Sequence, residues 1–244
     1  MSLVGIYSFP KSGNTWIRVI LGSIMANNAS QIPDLHNQQL SEAHTFNGHR
    51  FFKLHAGHNV KHWRGQKLDT TQVVHIRRNP LDVFVSYLNF ISDNVTGTAP
   101  IKFSSVEEIH GTDLFDLYFD TFVTTGHVAL EFAQTTGSYF DHNNFWMTQS
   151  EVPAILLKYE DLLADAQAAL APLRDFLGID DATLSSALSE TSTATKPDGK
   201  FFWKQKKNNY LDYLTDRQID LFVKYRGEEC RALGYEPEGF RTGL

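Results

Sequence analysis

A single cysteine, Cys230, stands in the 244 residues. That scarcity removes an intrachain disulfide framework and any cysteine-based zinc site, and it fits a reducing compartment. A basic surplus is missing too. Lys and Arg number 22 against 28 Asp and Glu, a formal net charge of −6, whereas a general nucleic-acid binder neutralises phosphates with excess cations. No run approaches the roughly 20 apolar residues of a membrane span. The opening MSLVGIYSFPKSG lacks the basic region and long apolar stretch of a signal peptide, so the cytoplasm is the expected location. Internal repeats and linkers are also lacking, which makes one domain over residues 1–244 the expectation. What is present is apolar surface. Hydrophobic residues make up 42% of the chain and charged ones only 20%, a balance that builds a sizeable core and excludes a disordered chain.

Hydrophobic patterning then orders the elements. Residues 3–9 (LVGIYSF) form a short apolar run stopped by Pro10 and Gly13, a buried strand feeding a turn. Apolar residues at helical spacing over 15–25 predict a helix, with Asn14 or Thr15 as its cap. Residues 27–47 are polar and without period, a loop with room for one short helix. Residues 50–54 and 72–76 read as strands, and Pro80 opens a helix over 80–91 whose inner side carries Val83, Phe84, Tyr87, Leu88 and Ile91. Residues 93–100 read as a mobile loop. Helices are predicted over 113–125, 138–149, 165–177 and 216–233, and a strand over 154–159. Strands alternating with helices imply a mostly parallel sheet covered on both faces, an α/β fold.

In such a sheet, ligands sit where strands end and helices begin. Residues 8–16 (SFPKSGNTW) occupy that place. Gly13 admits an anion close to the backbone, Ser12 and Thr15 offer hydroxyls, the helix start adds partial positive charge and Lys11 a full one. This is a phosphate cradle in character but not a Walker A loop, because Lys11 precedes Gly13 and the upstream glycine is absent. In the second stretch, 73–90, Arg78 ends a strand and Ser86 lies two helical turns on. Both reach one anion only if it lies along the helix flank.

PKSGNTW followed by RNPLDVFVSY resembles the paired nucleotide-binding motifs of the PAPS-dependent sulfotransferases. FKLHAGH (52–58) resembles that family's Lys-x-His segment, and GSYFDHNNFW and LLKYEDLLAD resemble its later helix and strand end, so the resemblance spans residues 4–193. It implies a P-loop-like fold and sulfuryl transfer from PAPS to a hydroxyl or amine, with PAP as product and no metal. It also implies roles, position by position. Lys11 contacts the transferred group, with Ser12, Gly13, Asn14 and Thr15 around the 5′-phosphate, Asn14 replacing a usual threonine. Trp16 and Tyr159 lie near the adenine, though each also suits a core position. Arg78 and Ser86 hold the 3′-phosphate. His55 is the general base, an imidazole with an ordinary pKa of about 6.5, and Lys53 helps hold the sulfuryl oxygens.

His55, His58 and His62 fall close together, but no carboxylate or cysteine stands at metal-ligand spacing beside them. The departures from the family lie near the C-terminus. Thr191 fits the adenine-side loop, but Thr193 stands where a phenylalanine is expected, and only Lys204 matches the Arg-Lys-Gly clamp on the 3′-phosphate. Lys196, Lys200, Lys206 and Lys207 surround it as substitutes or as a solvated basic loop. Asp220 stands alone of the family's dimer motif, which leaves the oligomeric state open. Phe90, Phe103, Phe140 and Phe145 are candidates for an acceptor pocket that takes a small-molecule or carrier-bound acceptor. Two rival readings are a P-loop kinase-like phosphotransferase and a PAPS-binding module without catalysis.

Overall fold

The computed structural model describes residues 2–25, 32–40, 45–92, 101–128, 133–194 and 203–243. The predicted mobile loop at 93–100, and Lys196 and Lys200, lie outside them. The first half runs β1 (Ser2–Tyr7), α1 (Asn14–Ile24), β2 (Thr45–Phe46), β3 (His49–Leu54), β4 (His62–Trp63), β5 (Gln66–Lys67), β6 (Gln72–Arg77) and α2 (Pro80–Ile91). It continues through α3 (Val106–Ile109), α4 (Asp113–Thr125), α5 (Ala133–Thr136), α6 (Tyr139–Asn144) with a π turn over Phe145–Gln149, and β7 (Ala154–Lys158). The chain then forms α7 (Tyr159–Ala164), α8 (Ala166–Ala169), α9 (Ala171–Leu177), α10 (Asp181–Ala194) and α11 (Asp216–Ala232).

The main sheet has the order β2-β3-β1-β6-β7, and all its pairs are parallel except the edge pair of β2 with β3. The two-residue side-chain period of the strands divides the core between the sheet's faces. Val4, Ile6, Phe51, Val74 and Ile76 pack against α1, α7, α9 and α10. Leu3, Tyr7, Phe52, Leu54 and Val73 pack with Trp146 of the π turn. A third cluster, built of aromatics from α2, α4, α6 and α11, joins Phe84, Phe115, Phe122 and Phe222.

Several boundaries differ from the sequence pattern for local reasons. Gly13, not Asn14 or Thr15, caps α1, and no side chain bonds the helix start. The helix predicted over 165–177 is two helices, because Pro172 in the first turn of α9 has no N–H to continue α8. The strand over 154–159 ends one residue earlier, and Tyr159 opens α7. α2 is buried on nearly every side, not along one stripe, with only Phe90 half-exposed. Asn79 caps it by accepting from the Leu81 and Asp82 N–H groups. α11 has a full capping box between Thr215 and Gln218.

Candidate functional site

Strand register assembles the site. Tyr7 stands opposite both Leu54 and His75, so β1, β3 and β6 release the chain at one edge of the sheet. Pro10, Lys11, Gly13, His55 and Arg78 therefore emerge side by side around a cavity of about 630 Å3, within the roughly 300–1,000 Å3 of small-molecule sites.

The floor is the turn between β1 and α1. Lys11 and Gly13 both have left-handed backbone, φ 68° and 107°. A Cβ at Gly13 would lie 2.8 Å from the Tyr159 ring and 3.0 Å from Ile76, so the turn tolerates only glycine there. The first helical bonds run from Trp16 and Ile17 N–H to the Gly13 carbonyl. The N–H groups of Asn14 and Thr15 thus have no intrahelical acceptor, and both residues line the cavity together with Lys11, Gly13 and Trp16. The Ser12 hydroxyl is buried without a hydrogen-bond partner. Asn14 turns inward, donating to Ser8 Oγ at 3.2 Å and the Ile6 carbonyl at 3.4 Å, and so braces the end of β1. The Lys11 ammonium lies 4.8 Å from the Phe90 ring centre.

One wall continues β3. His55 Nδ1 is 2.7 Å from the Ser8 carbonyl. A carbonyl only accepts, so Nδ1 carries the proton and Nε2 keeps its lone pair. Burial, then the Lys53 charge, holds His55 well below its ordinary pKa and therefore neutral. Lys53 Nζ donates to Asp34 Oδ2 at 2.7 Å, and burial, only partly offset by Asp34, lowers it to about 8. Burial works to raise the Asp34 carboxyl, but the Lys53 charge and hydrogen bond outweigh it and hold it low.

The opposite wall comes from β6, α2 and α7. The Arg78 guanidinium lies 4.3 Å from the Tyr159 ring centre and donates to the carbonyls of Lys11 at 3.4 Å and Lys206 at 3.1 Å. Its Nε is buried without a partner. Ser86, Tyr159 and Lys204 line the same cavity, and Trp16 meets Tyr159 edge to face at 5.6 Å. A guanidinium with an unpaired N–H, a helix start and the Lys11 cation around one cleft suit a phosphorylated anion.

The sulfotransferase domain profile matches residues 3–234. The chain belongs to the sulfotransferase-domain family. It is 26% identical over 202 residues to cytosolic sulfotransferase 14 of Arabidopsis thaliana, an overlap of 72% of this chain and 53% of that protein. Against human sulfotransferase 1C2 it is 26% identical over 249 residues, 90% of this chain and 73% of the relative. The chain thus spans about half the length of the plant relative. In fold it is similar to mouse sulfotransferase SULT7A1, solved in complex with PAP, with a TM-score of 0.63 at 17% identity over 97% of this chain and 89% of that one.

Three residues named from the sequence stand apart from the open cavity: Ser12, which is fully buried and not among its lining residues, Thr191 and Lys204. Thr191 is buried in α10, not in a loop, and its hydroxyl donates to the Ala187 carbonyl at 2.7 Å; it is not among the residues that line the cavity. Lys204 is at the cavity, but its ammonium donates to the Tyr213 hydroxyl at 2.8 Å and lies 3.6 Å from Asp212. Lys206 pairs with Asp212 at 2.8 Å, and Asp220 pairs with Arg241. Of the four candidate acceptor phenylalanines only Phe90 lines the cavity, while Phe103 and Phe140 are core and Phe145 packs on Trp146. His58 and His62 are exposed, and among the described residues no group of three His, Cys, Asp or Glu gathers as a metal cluster would. No described helix is long and apolar enough to cross a membrane.

Four residues that sequence reasoning missed shape the cleft. Asp34, His36 and Thr136 line it, and Asp82, beneath it, accepts from the Asn208 and Tyr210 N–H groups at 2.8 and 3.2 Å. Asp34 and His36 fall in the polar, aperiodic 27–47 stretch, where no pattern marks a partner for a lysine 19 residues away.

Proposed function

We propose that the chain is a PAPS-dependent sulfotransferase that moves a sulfuryl group to an acceptor hydroxyl, or an amine, and leaves PAP. The observation that carries this reading is a neutral His55 whose open Nε2 shares a cavity with the cradle at residues 11–15 and with Arg78. The cradle suits the 5′-phosphate, and Arg78 with Ser86 suits the 3′-phosphate. His55 Nε2 takes the acceptor proton as the acceptor oxygen bonds to sulfur. The bond from sulfur to the bridging oxygen breaks with its electron pair left on the phosphate, where Lys11 neutralises the charge. Lys53, ion-paired to Asp34, keeps a positive edge beside the sulfuryl oxygens. Catalysis of this kind rests on positioning and electrostatics.

The scarcity of cysteine supports a cytoplasmic location, and a domain match over residues 3–234 supports one sulfotransferase unit over residues 1–244. The presence of Asp34, His36, Asn37 and Gln38 beside Phe90 in the cavity lining favours a small acceptor carrying polar groups besides the reacting one. The test is a thermal-shift comparison of PAP with Mg-ATP, followed by transfer from radiolabelled PAPS to a panel of phenols, alcohols and amines. PAP raises the melting temperature more than Mg-ATP, and His55→Ala lowers turnover by about 100-fold or more while PAP still stabilises the fold. Equal stabilisation by Mg-ATP favours a kinase. PAP binding without transfer to any acceptor favours a module without chemistry.

A further inference from the structure

Every polar group of His55 but one is tied down by a neighbour. Its Nδ1–H donates to the Ser8 carbonyl at 2.7 Å. Its own carbonyl accepts from the Thr136 hydroxyl at 2.9 Å, an approach that Gly57 permits, since a Cβ there would lie 2.3 Å from the Thr136 carbonyl. Its backbone N–H donates to His36 Nε2 at 3.2 Å, and the two imidazole centres are 5.6 Å apart at 31°. What remains is Nε2, the atom the proposed chemistry needs.

His36 is itself held firmly. Residues 33–35 add to the outer edge of β3, with Lys53 N–H on the Pro33 carbonyl and Leu35 N–H on the Lys53 carbonyl. Asp34 then folds the turn back. Its carbonyl accepts from Asn37 and Gln38 N–H at 2.9 and 2.8 Å, and its carboxylate from His36 N–H at 3.1 Å. Trp63 packs edge-on against the His36 ring at 5.6 Å and donates Nε1–H to the Leu35 carbonyl at 2.6 Å.

We propose that His36 is a positioning residue for His55, aligning the base through the Nε2 acceptor it offers to the His55 backbone N–H, and that it does so only while its own Nε2 is unprotonated. The proposal rests on the transferase reading for its kinetic part alone. An imidazole that accepts at Nε2 is the Nδ1–H tautomer. Once protonated it is a donor at both nitrogens and meets the His55 N–H donor to donor. The charged and titratable groups around His36 are Asp34 on its own turn, Lys53 and His55 from β3 and its end, and Arg64 from the β4–β5 turn. Burial, then the Lys53 cation, disfavours the protonated ring against the pull of Asp34, so the acceptor state holds at neutral pH. Positional errors of about 1 Å in a catalytic group cost up to roughly 100-fold in rate, so loss of one anchor of three has a measurable kinetic effect.

The test uses the full chain with 15N-labelled histidine and compares wild type with His36→Phe, which keeps the ring against Trp63 but removes the acceptor, and His36→Gln, whose amide oxygen restores one. Imidazole 15N shifts report the His55 tautomer directly, with or without nucleotide. Wild type and His36→Gln show His55 as a single Nδ1–H tautomer, and His36→Phe shows a mixture. In wild type, the His55 amide shift moves with the same pH midpoint as His36 Nε2, a result that needs no variant to fold. With PAPS and 4-nitrophenol, His36→Phe lowers kcat by about tenfold or more with KM for PAPS unchanged, and His36→Gln restores most of it. A single His55 tautomer in His36→Phe, separate midpoints in wild type, or an equal loss of kcat in both variants overturns the proposal. Failure of PAP to stabilise wild type overturns the transferase reading instead and leaves the tautomer result standing.

Discussion

A guanidinium buried against an aromatic ring is a strong anion receptor only if its donors are not all spent. Arg78 spends two N–H groups on the carbonyls of Lys11 and Lys206 and keeps Nε unpaired. Charge-assisted hydrogen bonds are worth about 1.5–3 kcal/mol each. Arg78→Ala is therefore expected to weaken PAP by at least about tenfold, and to weaken a nucleotide lacking the 3′-phosphate much less. Isothermal titration with PAP and AMP measures both, and equal losses would remove Arg78 from the 3′-phosphate. The places of Arg78 and Lys11 at the cavity were legible in the sequence, because each stands beside a strand end followed by a helix. The inward turn of Asn14 and the engagement of Lys204 by Tyr213 were not, since each depends on an acceptor that only the folded chain brings near.

Among elements, α2 carries most of the site's support, and Asp82 is its buried anchor. Its carboxylate takes the Asn208 and Tyr210 N–H groups and lies 3.8 Å from Arg78. Burial raises its pKa, and the Arg78 charge and the three backbone N–H groups of 208–210 counter that rise. Removing one partner of such a buried set leaves the others unpaired, so Asp82→Ala is expected to lower unfolding stability by about 3 kcal/mol, read as a shift in the urea midpoint. A loss under about 0.5 kcal/mol would mean that water replaces the carboxylate. α2 was readable from Pro80 with its bounds intact, while the Asn79 cap showed only in the structure. α10 was not foreseen, because of its described side chains only Leu184, Ala187 and Thr191 are buried and an exposed helix shows little hydrophobic period. The break before α9 needed only Pro172, which the periodic pattern around it concealed.

For the molecule as a whole, the packing of neutral imidazoles sets a limit in acid. His55, His75 and His142 come from the end of β3, from β6 and from α6, and burial is the first cause that keeps each of them unprotonated. For His142 the pKa falls from 6.5 to about 4. A folded pKa below the unfolded one means that the unfolded chain binds the extra proton first, so stability is full above pH 6.5 and falls as pH drops toward 4. For His142 alone the fall amounts to about 3 kcal/mol by linkage. Melting temperatures should decline steeply over that window, and His142→Asn, which can still donate to the Thr136 carbonyl, should decline less. Parallel curves for the two proteins would show that His142 is not protonated on unfolding. The sheet order itself was readable only as a class, since alternation of strands and helices leaves open which strand lies beside which. The cleft's cationic edge was foreseen and its Asp34–His36 corner was not.

The bond from Arg78 to Lys206 has a mechanical side. One guanidinium fastens the loop after the first strand to a segment nearly two hundred residues further along the chain and still holds one donor in reserve. Two stretches of backbone far apart in the chain thus share one cation, and a change in the place of that side chain bears on both at once.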